Sequence, residues 1–372
     1  MAIIIKYRLL IVSTLIACVV LYSRLLNSHS WPVIFEQNSN VLPYTYLKAY
    51  SHSTLEMELN DQTKSPDRNR NTNENGDVVP YSGNATNNPL PQDVSFIISN
   101  PNICKNVSEL KYIVYVHSAP HNYVRRNLLR TTWLNTTFFS RSIMKTVFLI
   151  GRSAKPEIEI KVKAEAEQYG DIVQGDFIDE YRNLTLKGIF GLKWVSTYCK
   201  EALLLIKVDD DAFVDIFKLV KMLKMYEETK RTIICGFYKE NTMPILRNPL
   251  TCGKWCVKWD EFPGKAFFPR YCTGLAYIIS VDLVPMLYNM SRSTPFFWID
   301  DVYITGLLPR TIDNVQYVSI DEKYTLKESN AIGELKDVNK TLTYIFVHAS
   351  YPDVFKSMWQ LLLERTDNHT VH

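Results

Sequence analysis

The chain has 372 residues, 46% of them apolar and 22% charged, which is enough apolar material for a full core in one large domain with appendages. Its formal net charge is only +3, so nothing in the charge balance points to a nucleic-acid partner. Residues 1–8 carry Lys6 and Arg8, and an apolar run follows from Leu9 to Tyr22, extended past Arg24 by Leu25 and Leu26. This pattern predicts a cytoplasmic tail over 1–8 and an uncleaved membrane anchor over 9–26. A cleaved signal peptide competes, with Ser28-His-Ser30 as the best available cleavage site. Residues 27–108 are rich in Asn, Ser, Thr and Pro and show no sustained apolar period, so they read as a flexible stem.

Two counts place the remainder in an oxidising, glycosylating compartment. Asn-x-Ser/Thr sequons occur at Asn84, Asn106, Asn135, Asn183, Asn289, Asn339 and Asn368. Beyond Cys18, which lies in the apolar run, an even set of cysteines remains: Cys104, Cys199, Cys235, Cys252, Cys256 and Cys272. Half a zinc site at Cys252 and Cys256 has no matching Cys or His pair at ligand spacing, so disulfides are the better reading. Cys104 precedes the first core strand and Cys199 ends the helix before a later one, and these two are expected to pair.

Order is predicted over 109–372. Tyr112-Ile-Val-Tyr-Val116, Val147-Phe-Leu-Ile150 and Leu203 to Val208 are continuous apolar runs of strand length. Helical stretches at Tyr123–Trp133, Glu157–Tyr169 and Leu184–Cys199 alternate with them. This alternation predicts an α/β domain with a mainly parallel sheet covered on both faces, and ligands outside the carboxyl ends of the strands. There the third run delivers Asp209, Asp210 and Asp211. Three adjacent carboxylates repel one another unless a cation intervenes, and a hard divalent ion answers that need. A solvated acidic turn before a helix capped by Asp215 is the plainer alternative.

Several stretches together resemble the β-1,3-glycosyltransferases of the Golgi, which comprise galactosyl- and N-acetylglucosaminyltransferases of glycosyltransferase family 31. The resemblance spans roughly Leu110 to Trp359. It rests on Arg126-Asn-Leu-Leu-Arg130-Thr-Thr-Trp133, Val147-Phe-Leu-Ile-Gly151, Tyr169-Gly-Asp-Ile-Val-Gln174, Asp176-Phe, Tyr181 and Asn183-Leu-Thr-Leu-Lys187. Lys207-Val-Asp-Asp-Asp211-Ala-Phe-Val, Tyr271-Cys-Thr-Gly274, Asp300-Asp-Val-Tyr303-Ile-Thr-Gly306 and Phe346-Val-His348 complete it. What it implies is a GT-A-like nucleotide-sugar domain behind a type II anchor and a stem, with the catalytic part in the Golgi lumen. Metal-dependent, inverting transfer of galactose, or else N-acetylglucosamine, from its UDP derivative to a glycan on lipid or protein follows. A catalytically silent lumenal glycan-binding protein of the same fold is the rival from another class. A metal-dependent hydrolase is disfavoured, because no second cluster of metal ligands is visible.

The resemblance also implies roles. Asp211 becomes the direct ligand of Mn²⁺ or Mg²⁺, His348 a further ligand, and Asp301 the base that takes the acceptor proton. Asp209 faces the ribose or metal-bound water, and Asp210, grouped with it on the donor side, turns toward structure. Asp300 stands where the family usually has Glu, which shortens its reach to acceptor hydroxyls. A pair of acids capping the next helix is the alternative there. Gly274 permits close approach of backbone to the sugar nucleotide. Cys256 stands where relatives commonly carry Tyr, so a loop disulfide with Cys252 is expected. From the residues themselves, Arg126 and Arg130 are four apart and share a helix face that suits a diphosphate. Trp298, near Asp301, is the favoured residue for stacking on a sugar, with Trp255 and Trp259 behind it.

Overall fold

The computed structural model describes residues 94–107, 109–139 and 143–367. The predicted tail and anchor, and most of the predicted stem, lie outside the described residues. Among the described residues, no helix is long and apolar enough to cross a membrane. In chain order the strands are β1 (Phe96–Ile98), β2 (Tyr112–His117), β3 (Met144–Arg152), β4 (Ile172–Ile178), β5 (Leu204–Asp209), β6 (Ala212–Val214) and β7 (Thr232–Cys235). Then follow β8 (Phe237–Tyr238), β9 (Tyr271–Cys272), β10 (Ala276–Ser280), β11 (Gln316–Ser319), β12 (Tyr324–Thr325) and β13 (Phe346–His348).

Eight of these form the central sheet, in the order β1-β4-β3-β2-β5-β10-β7-β11. Its middle, β4-β3-β2-β5, is parallel, as the apolar runs predict. All six residues of β2 are buried, as expected for a strand covered on both sides. Successive side chains alternate between two cores. Ile113, Tyr115 and Leu205 face the helices Leu184–Tyr198 and Val284–Met290. Val114, Val116 and Ile206 face Leu128, Leu129, Leu219 and Trp359, carried on or beside the helices of the other layer.

Beyond β5 the sheet departs from the expected pattern. β10 inserts antiparallel to both β5 and β7, pairing Ala276 with Val208 and Ser280 with Leu204, so the sheet is mixed. The stem boundary also moves. Phe96 and Ile98, within the stretch read as stem, pair antiparallel with Gly175 and Gln174 of β4, so the folded domain begins upstream of residue 109. Phe96 packs on Phe190 at 5.0 Å between ring centroids, which gives that segment an apolar anchor.

Cys104 and Cys199 are bridged as expected, and Cys235–Cys272 and Cys252–Cys256 complete the set. The first bridge spans 95 residues, so removing it frees a long loop in the unfolded chain. Replacing both cysteines by Ser should lower stability by about 3–5 kcal/mol. Chemical denaturation of the double variant measures this, and an unchanged midpoint would show that the bridge contributes nothing.

Candidate functional site

The site forms where β2 and β5 end together. His117 and Asp209 are register partners across these parallel strands, so their side chains emerge side by side at the carboxyl edge. The chain then turns through Asp210 and Asp211 into β6, which lies between Asp211 and the capped helix Ile216–Leu223. Asp215 accepts from the Lys218 backbone N–H at 3.0 Å and caps that helix, so the turn carries a structural cap beside its three acids.

The small sheet β12-β13-β6 brings in the distant histidine. β13 pairs antiparallel with β6, His348 opposite Ala212, and the Ala349 N–H donates to the Asp211 carbonyl at 2.9 Å. His348 Nε2 then stands 3.6 Å from Asp211 Oδ2. Burial works to raise the Asp211 carboxyl, but the imidazole of His348 and the charge of Arg125 outweigh it and hold the group below its ordinary value. Among the described residues, no set of three or more His, Cys, Asp or Glu side chains is arranged to bind a metal. Asp211 and His348 could supply two ligands to a divalent ion whose remaining positions were filled by water and substrate phosphate.

The second acidic group begins a helix. Asp300–Val302 form its first α-helical residues, and the helix widens to a π-helix over Tyr303–Leu307, a form found often at functional sites. Asp301 is fixed twice: its Oδ1 accepts from the Val302 N–H at 2.8 Å, and its carbonyl accepts from Thr305 Oγ1 at 2.5 Å. Burial, followed by repulsion from Asp300, pushes its carboxyl up to about 8. Asp209 is raised to about 7 by burial and by Asp211 and Asp300, although Lys207 opposes the shift. The two acidic groups therefore sense one another across one pocket.

Cations under the pocket keep it together. Lys207, buried within β5, donates to Asp209 Oδ1 at 2.7 Å and to the Gly274 carbonyl at 2.5 Å. Lys187, buried on the helix Leu184–Tyr198, donates to Asp179 Oδ1 at 2.9 Å and to the Ser118 carbonyl at 2.6 Å. His117 Nδ1 lies 3.7 Å from Asp300 Oδ2. Burial, with Lys207 and Lys187 nearby, holds the imidazole well below its ordinary value and therefore neutral. None of these three was assigned a role from sequence. The available signal was a lysine inside an otherwise apolar strand or helix, since a buried ammonium requires a carboxylate partner.

Two expectations are corrected, at the arginine pair and at Trp298. Arg126 and Arg130 do share a face, but neither is free for a diphosphate. Arg126 is fully buried, and its five N–H groups go to Glu165 (two), Ser118 Oγ, and the Ala119 and Pro120 carbonyls. Arg130 chelates Asp171, donates to Glu165 and lies 4.0 Å above the Tyr169 ring. Asp210 turns toward structure as expected, accepting from Ser118 Oγ at 2.7 Å and Asn122 Nδ2 at 2.8 Å, and it holds the loop after β2 rather than facing the donor side. Trp298 is buried, with Arg182 covering its ring at 4.3 Å and its Nε1 donating to Glu261, so that ring is not offered to a sugar. Gly274 lies against Asp301: a Cβ there would meet Asp301 Oδ2 at 3.0 Å, so the missing side chain lets that carboxyl approach. If Arg126 is structural, Arg126→Gln should cost about 3–5 kcal/mol, because buried Glu165 keeps only Arg130 as a cation and the Ala119 and Pro120 carbonyls lose their donor. A fully stable Arg126→Gln protein with weakened UDP binding would restore the diphosphate role.

A family model described as Galactosyltransferase matches residues 124–320, more than half of the chain. Beta-1,3-galactosyltransferase 1 of Homo sapiens is 34% identical over 233 residues, covering 62% of this chain and 69% of that protein. The chain belongs to the β-1,3-galactosyltransferase family. Another member, Beta-1,3-galactosyltransferase 5 of Homo sapiens, is 34% identical over 198 residues, 53% of this chain and 62% of that one. Solved structures are more distant. The galactosyltransferase LgtC with donor and acceptor sugar analogs is 10% identical and covers 68% of this chain and 95% of that chain, with a TM-score of 0.34. S. aureus TarS 1-349 is 11% identical and covers 69% and 65%, with a TM-score of 0.35. At such scores the site is read from this chain's own residues. As a member of this family the chain is a glycosyl-transferring enzyme, and its acidic pocket is the candidate active site.

Proposed function

We propose that the chain transfers galactose from UDP-galactose to a hydroxyl of a glycan acceptor, forming a β-1,3 linkage with inversion at the anomeric carbon. The observation that carries this reading is the pairing of two unlike acidic groups in one pocket. Asp211 is held ionised beside His348, whereas Asp301 is held near neutrality and is fixed by its own backbone contacts. One group suits a permanent cation partner and the other suits proton uptake.

In this mechanism the acceptor oxygen attacks the anomeric carbon as the bond to the diphosphate oxygen breaks. Asp301 takes the proton from the attacking hydroxyl, and UDP departs. Asp300, beside His117, orients acceptor hydroxyls. Asp211 and His348 would hold Mn²⁺ or Mg²⁺, which supplies charge to balance the leaving diphosphate. Asp209, bonded to Lys207, faces the donor side. The same reading places the enzyme in the Golgi membrane as a single-pass type II protein with its catalytic domain in the lumen. Purified protein incubated with a panel of UDP-sugars and glycan acceptors tests this: UDP release should depend on acceptor and be greatest with UDP-galactose. Greater release with UDP-N-acetylglucosamine would reassign the donor, and acceptor-independent silence with every donor would favour a glycan-binding protein.

A further inference from the structure

The segment between β8 and β9 is tied to Arg182, which donates to Glu261 at 2.5 Å and to the Cys256 carbonyl at 3.4 Å. Within it the Cys252–Cys256 bridge closes a tight ring around Gly253, Lys254 and Trp255. Cys252 is buried, and its backbone N–H donates to the Asn248 carbonyl at 2.9 Å, while Gly253 takes the left-handed conformation with φ 53°. The ring therefore has a fixed foot and a shaped turn, and Lys254 is at its tip.

Lys254 Nζ lies 4.7 Å from the ring centroids of both Tyr181 and Trp255, is itself buried, and makes no hydrogen bond among the described residues. A buried ammonium with three unspent N–H donors is costly. Lys187, Lys207, Arg126, Arg130 and Arg182 each have a carboxylate within ion-pair distance. Among the described residues Lys254 has none within 4 Å, yet the fields of Asp211 and Asp209 reach it. Burial outweighs that attraction and lowers its pKa to about 8. The group is thus suspended beside the acids, and an anion entering the pocket would meet its donors.

We propose that Lys254 is a donor-binding residue that grips the diphosphate of a nucleoside diphosphate sugar from the Tyr181–Trp255 side of the pocket, held in place by the Cys252–Cys256 bridge. This rests on the donor reading above. The diphosphate brings charge that the carboxylates of the pocket oppose, so a cation on the wall complements whatever Asp211 and His348 hold. The two aromatic faces stabilise the empty ammonium and fix its stem, and the bridge limits the conformations that the loop must lose on binding.

Calorimetric titration of UDP, with Mn²⁺ present, into wild type, Lys254→Met and the Cys252→Ser/Cys256→Ser double variant tests the proposal. Met keeps the stem between the two rings and removes only the charge. Lys254→Met should weaken UDP binding about ten-fold or more, the size of a lost charge-assisted hydrogen bond. UMP, one phosphate shorter, should be affected less, and the melting temperature should stay close to wild type. The double variant should lose part of the same UDP affinity. Unchanged UDP affinity in Lys254→Met, or an equal loss for UDP and UMP, overturns this proposal while leaving the donor reading intact. Absence of UDP binding by wild type overturns both.

Discussion

The Asp301→Asn protein should fold, bind UDP-sugar and metal, and transfer sugar about 10²-fold or more slowly than wild type. The amide matches the carboxylate in volume, and its oxygen still accepts the Val302 N–H, so the helix start is preserved. What it lacks is a proton acceptor. Burial and Asp300 push the native carboxyl up to about 8, so in the empty protein the rate-competent, ionised form is gained as pH rises toward that value. The wild-type kcat/KM should therefore climb with pH, and the residual rate of Asp301→Asn should lose that climb. Stability should move the other way from activity. The carboxyl is harder to ionise in the fold than in the unfolded chain, so its ionisation removes stability as pH rises from about 4 toward 8. Asn removes that cost, and the variant should melt no lower than wild type at neutral pH. Asp300→Asn provides the contrast: its acceptor KM should rise with a smaller loss of kcat, because Asp300 lies 3.7 Å from His117 at the edge of the pocket. If Asp300→Asn is dead and Asp301→Asn turns over normally, the base is Asp300 and the roles are wrong by one residue.

The parts of this site that sequence makes legible are those set by strand periodicity. Leu203 to Val208 reads as a buried strand because parallel strands covered on both faces are apolar without alternation, and the acids that follow it must then sit at a carboxyl edge. The antiparallel entry of β10 was hidden, since Ala276-Tyr277-Ile278-Ile279 is as apolar as a parallel strand and carries no direction. The i, i+4 rule placed Arg126 and Arg130 on one face correctly but says nothing about what that face meets. Glu165, 39 residues downstream, claims Arg126. Trp298 fails for a similar reason, because its cover, Arg182, comes from another element. Lys254 became visible only once three dimensions placed its ring bridge beside Tyr181 and the acids.

Replacing Asp211 with Asn should abolish transfer while leaving the fold intact, and adding metal should not restore it. The backbone at this position is held by the Ala349 N–H and by the pairing of β6 with β13, neither of which uses the carboxylate. The side chain has a different task. With His348 and Arg125 outweighing the effect of burial, it stays ionised at any working pH and is a ready anionic ligand. Asn keeps the shape but removes the charge, and a neutral amide beside a single imidazole is a poor site for Mn²⁺ or Mg²⁺. His348→Gln should be milder, because Asp211 remains: half-maximal activity should require more metal, and excess metal should recover most of the rate. The pair of variants separates a ligand from a neighbour, since a purely structural Asp211 would show loss of stability and no change in metal requirement. Undiminished turnover by Asp211→Asn, or by wild type in excess chelator, would rule out metal dependence and leave the proposed Lys254 contact as the positive charge available to the leaving diphosphate.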